Sequence, residues 1–116
     1  MLSEEVDGAA MAQDSGFFVK GPYAQSVSGK AVIYKTGNTW ELALENFSIS
    51  NGPDLKVYLS KAAEPADFYN LSSLRSVNGN QIYRIPAEVS IQNYSHVLIH
   101  CQQYDHLFAF AALSKP

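Results

Sequence analysis

"TWELALEN", residues 39–46, decides the fold. Trp40, Leu42 and Leu44 alternate with Glu41, Ala43 and Glu45. A strand sends successive side chains to opposite faces, so this stretch has one apolar face and one wet face. At helical spacing the same three apolar residues would scatter around the cylinder. The pattern is that of a half-buried strand. Its phase then slips, because Phe47 and Ile49 are apolar at odd positions. That predicts a bulge or a strand end near Asn46.

The neighbouring segments follow the same rule. "SVSGKAVIYK" (26–35) precedes a turn through Gly37 and Asn38. "SNGPD" (50–54) is a turn by chemistry, since Asn and Gly accept positive φ and Pro fixes its own. "LKVYLS" (55–60) puts Leu55, Val57 and Leu59 on one face, and "QIYRIP" (81–86) ends at Pro86. "HVLIHC" (96–101) and "LFAFAAL" (107–113) are apolar runs separated by "QQYD". Residues 61–78 are the least regular, with room for one helical turn near Pro65. "AEVSIQNY" (87–94) leaves a short helical turn open. No strand alternates with a long helical pattern, which argues against a parallel α/β sheet. The expected fold is all-β: a single-domain antiparallel β-sandwich of about seven to nine short strands over 17–116. Residues 1–16 are expected to form a flexible acidic N-terminal segment.

Composition narrows the function. The 116 residues carry a net charge of −3. Glu4, Glu5, Asp7 and Asp14 lie in the first sixteen residues, which hold no Lys or Arg. The remainder has eight bases and seven acids, so its charge points to no nucleic-acid partner. No run approaches eighteen apolar residues, so no transmembrane segment is expected. One cysteine excludes an internal disulfide. Neither a G-x-S-x-G nor an H-E-x-x-H motif occurs, and no glycine-rich phosphate loop is present.

The chemistry-bearing residues crowd into "HVLIHCQQYDHLF" (96–108), which holds Cys101 and all three histidines. On a strand, Val97, Ile99 and Cys101 share one face, and His96, Leu98 and His100 the other. Cys101 then packs as a small core hydrophobe. His96 and His100 are separated by roughly 13 Å on a strand, too far to share one metal, and are expected on a half-exposed face. Cys101 and His106 have the C-x4-H spacing of a blue-copper ligand loop. No histidine precedes His96, and Met1 and Met11 lie far from it in sequence. The ligand inventory therefore supports neither copper nor haem, and no cofactor is expected.

Several motifs together resemble the electron-transfer DM-thirteen domain family. Its F-x-x-x-N-G-P-D-L-x-V-Y-L core is matched by Phe47, Asn51, Gly52, Pro53, Asp54, Leu55, Val57, Tyr58 and Leu59. Its G-x-Q-x-Y stretch is matched by Gly79, Gln81 and Tyr83, and its late cysteine by Cys101. The family often has tryptophan before that cysteine, where this chain has His100. The resemblance implies a secreted, periplasmic or lipid-anchored β-sandwich module, with a redox role proposed for Cys101. The alternative is a non-catalytic module that binds a protein or ligand, in which Cys101 is structural. Asn51, Asp54, Tyr104 and His106 are candidate binding residues. Tyr58, Tyr83 and Tyr104 are expected as exposed contacts for a protein partner.

Overall fold

A computed structural model describes residues 1–115. Among the described residues nine strands form: β1 (Leu2–Ser3), β2 (Met11–Lys20), β3 (Val27–Thr36), β4 (Thr39–Ile49), β5 (Leu55–Ser60), β6 (Tyr69–Ser73), β7 (Asn78–Ile85), β8 (His96–Cys101) and β9 (His106–Ala112). Their order is β1-β7-β4-β3-β2-β9-β8-β5-β6. Every pairing is antiparallel except the two-residue parallel pairing of β1 with β7. The only helical turn among the described residues is 3₁₀, at Ile91–Asn93. None there is long and apolar enough to cross a membrane.

The sheet curls into two facing halves because β2 belongs to both. Its first part, through Phe17, pairs with β3, and Phe18–Lys20 pair with β9. At the changeover, a Cβ on Gly16 would collide with the carbonyl of Ala112, so this position needs glycine. The inner faces meet in one core. Leu42, Leu44 and Phe47 come from one half, and Val57, Leu59, Val97, Ile99 and Ala109 from the other. Phe18 packs edge-on against Phe47 at 5.3 Å between centroids.

The phase slip after Leu44 is a bulge. Asn46 has φ of 51° opposite Gly29 at 98°, and the β4 register shifts between Leu44 and Phe47. Phe47 and Ile49 thereby return to the core. Ala43, on the face expected to be wet, is also buried.

Two regions depart from the expected pattern. Residues 1–16 are expected to be flexible ahead of a sandwich over 17–116, yet β2 starts at Met11 and β1 pairs Leu2 and Ser3 with Gly79 and Asn80. Backbone ladders made these pairings without an apolar period to announce them. Glu4 reinforces them: its carboxylate takes a bidentate pair from Arg75 and the Ile82 N–H. The Arg75 bond, then the Ile82 bond, hold the Glu4 carboxyl down at about 2. The second departure is residues 61–78, which contain strand β6 and no helical turn.

Candidate functional site

Cys101 is the last residue of β8 and a free thiol, 1% exposed. Strand alternation sends Val97, Ile99 and Cys101 into the core together. Register places Leu55 of β5 on one side of Cys101 and His106 of β9 on the other. Opposite residues of an antiparallel pair leave the same face, with Cβ atoms about 5 Å apart. Cys101 and His106 are therefore cross-strand neighbours, though no hydrogen bond joins them among the described residues. His106 instead stacks on Tyr23, with centroids 3.7 Å apart and planes at 1°. Tyr104 is exposed in the intervening turn, 5.9 Å from the His106 ring.

The "NGPD" turn closes the same end of the molecule. Asn51 Oδ1 accepts the Gly52 N–H at 2.9 Å. Gly52 lies against Phe108, where an added Cβ would come within 2.8 Å of Cζ. The Asp54 carbonyl accepts the Gln102 N–H at 3.0 Å, and its carboxylate pairs with Lys56 at 3.0 Å. Asn51 and Asp54 thus have partners within their own turn and strand. The Asp54 backbone abuts the residue after Cys101. The structure brings Asp54, Cys101 and His106 to one end of the sheet.

Gln81 and Tyr83 work as a buried brace. The Tyr83 hydroxyl donates to Gln81 Oε1 at 2.5 Å and accepts the Arg75 N–H at 2.9 Å. Gln81 Nε2 donates to the Ser76 carbonyl at 2.8 Å. Together they pin residues 75–76 beside the "NGPD" turn. Burial pushes the Tyr83 phenol up, against the lowering effect of Arg75. Tyr83 and Tyr58 were expected to be exposed contacts, but both are buried. Tyr83 alternates with Gln81 and Ile85 into the interior, whereas the Tyr58 ring lies on the outer face and is covered by Phe68 from a neighbouring segment.

The opposite face of β8 holds a second constellation. His96 is half-buried, with Nδ1 2.7 Å from Ser95 Oγ. His100 was expected to be half-exposed with it, but is 3% exposed. Residues 61–68 fold back over this face. Buried Ser60 anchors them by donating to the Glu64 carbonyl at 3.0 Å and accepting the Ala66 N–H at 3.2 Å. Phe68 stacks on Tyr58 at 4.3 Å, and Tyr58 on His100 at 5.3 Å. Burial pushes the Tyr58 phenol up, with Asp105, Asp54 and Cys101 adding to the rise.

His100 Nε2 lies 2.8 Å from Oδ1 of Asp105, which occupies the turn at φ of 53°. An ionised carboxylate only accepts, so Nε2 carries the proton and donates. His100 Nδ1 is buried with no partner among the described residues. Above this pair lies a cleft of about 630 Å³, walled by Pro22, Tyr23, Glu64, Phe68, His100 and Asp105. Sequence reasoning missed it. The available signal was an acid five residues after His100, across a tight hairpin turn. Among the described residues, no three His, Cys, Asp or Glu side chains gather as metal ligands.

Curated proteins and solved structures yield no match to this chain. A family model described as Electron transfer DM13 matches residues 18–113. That span runs from the changeover in β2 to the end of β9 and includes the Cys101 end and the His100 cleft. The chain belongs to the electron transfer DM13 family.

Proposed function

We propose that this domain serves electron transfer as a non-catalytic binding module, with its protein partner supplying the redox group and Cys101 acting as a structural thiol. The observation that carries this reading is the burial of Cys101 among Val97, Ile99 and Leu55. A thiol that exchanges or is oxidised must meet its reagent, and reactive cysteines are partly exposed. The domain needs no cofactor of its own on this reading. The family resemblance favours work outside the cytosol, in the extracellular space or cell envelope. In native protein, a maleimide should label Cys101 at least about a hundredfold more slowly than in urea. Comparable native and unfolded rates would overturn the reading.

A second reading makes Cys101 the redox group. It is favoured by the convergence of "NGPD", Leu55 and His106 around that one sulfur. The step is thiol–disulfide exchange with a partner's disulfide. The Cys101 thiolate, its proton released to solvent, attacks one partner sulfur and forms the mixed bond. The partner's S–S bond breaks, and its other sulfur leaves as thiolate. Opening of the 102–105 turn must come first, so this reading requires rapid native labelling.

A further inference from the structure

Three features of the cleft over β8 point to one class of ligand. Its walls include Glu64 and the strongly exposed carboxylate of Asp105 and, among the described residues, no Lys or Arg. Tyr23 and Phe68, both in its walls, are 53% and 44% exposed. His100, in the same wall, has an unpaired buried Nδ1. With Nε2 held on the Asp105 carboxylate, Nδ1 has no partner, and in the tautomer that donates from Nε2 it is an acceptor without a donor. A buried polar atom left this way is costly. The cleft thus offers acceptors and aromatic faces, and its volume suits a small ligand.

We infer that the cleft between residues 62–68, Tyr23 and the His100–Asp105 pair binds an organic cation with N–H donors, an alkylguanidinium or alkylammonium group. Such a group places its charge against Glu64 and Asp105 and its flat or alkyl surface on Tyr23 and Phe68. Its N–H bonds distinguish it from a quaternary ammonium, which cannot satisfy an acceptor. Nδ1 is closed off from solvent, so the inference includes displacement of the loop that Ser60 ties down through Glu64 and Ala66. The inference rests on the binding-module reading and names the chemistry of what is bound. The same group occurs on a free amine and on an Arg or Lys side chain of a protein partner.

The test is a titration of the native chain with methylguanidinium, followed by NMR at His100 Cε1–H and the Tyr23 and Phe68 rings. Saturable shifts at all three are expected. Tetramethylammonium should bind about tenfold more weakly. The double variant Glu64→Gln, Asp105→Asn should weaken methylguanidinium about tenfold. Both side chains are exposed, and an unchanged unfolding midpoint checks the fold. Glu41→Gln, on β4 outside the cleft, should change nothing. No saturable shift, equal binding of tetramethylammonium, or indifference to the double variant would overturn the inference. A capped Arg-containing pentapeptide separates the two sources. Binding tighter than methylguanidinium supports a partner's side chain, and equal binding supports a free cation. Failure of cation binding with Cys101 still protected removes this inference alone. Rapid native labelling of Cys101 removes the module reading beneath it.

Discussion

Neighbouring residues of β8 meet two different interiors. Ile99 and Cys101 face the core between the sheet halves, beside Val57 and Ala109. Leu98 and His100 face outward, yet they are almost as deeply buried. The inner face is covered by another sheet layer. The outer face has Tyr58, Phe68 and a loop held by Ser60. Equal burial therefore conceals unequal constraint. The core packs regular strands on both sides, whereas residues 61–68 contain no strand or helix. The buried side-chain nitrogen without a partner among the described residues, His100 Nδ1, belongs to the outer face.

The largest expected effect tests that inequality directly. Ile99→Ala should cost roughly 4 kcal/mol, because the layered core relaxes little around the gap. Leu98→Ala should cost roughly 2 kcal/mol, because its one-sided cover can settle inward. Urea unfolding of the two variants gives both numbers. Equal losses would mean that the outer face is as rigid as the core.

The same contrast explains what the sequence disclosed. The alternation of Trp40, Leu42 and Leu44, and of Val97, Ile99 and Cys101, identifies residues facing the core, since the strand period is two. The slip at Phe47 marks the bulge at Asn46 for the same reason. "NGPD" identifies its turn through the conformational needs of its residues. His100 gave no such signal. Its burial depends on Ser60 pulling back a loop that lacks periodicity, and its partner Asp105 is set by hairpin geometry. Residues 11–16 were hidden differently: their backbone pairs with β3, but their side chains are mostly small or polar. The Cys101–His106 pairing lay between these cases. Its spacing was visible, but strand register was needed to put both on one face.

A middle-sized effect asks whether the two faces open independently. Ser60→Ala removes the hydroxyl that holds Glu64 and Ala66. It should cost roughly 1–2 kcal/mol. Amide exchange at Ala66 should accelerate, while Cys101 remains protected from a thiol reagent. If Cys101 becomes reactive in step with Ala66, the faces form one opening unit, and the contrast between them fails.

The smallest effect appears only in alkali. Tyr58 on the outer face has its phenol held above its ordinary value of 10.0, chiefly by burial. Its stabilising contribution is therefore fully present below pH 10. Above that, the unfolded chain releases the proton while the folded chain keeps it, so stability falls as pH rises. The loss ends once pH passes the raised folded value. One proton gives a slope of at most about 1.4 kcal/mol per pH unit. Tyr58→Phe should reduce the alkaline slope of urea-measured stability by up to that amount and leave stability near pH 7 little changed. Tyr34 and Tyr83 are also raised, so part of the slope should remain. Ile99→Ala lowers the whole curve without altering its slope, because no proton is linked to the inner face at that position. An unchanged slope in Tyr58→Phe would mean that the outer face admits water around the phenol, making its cover looser than the packing of Phe68 and His100 implies.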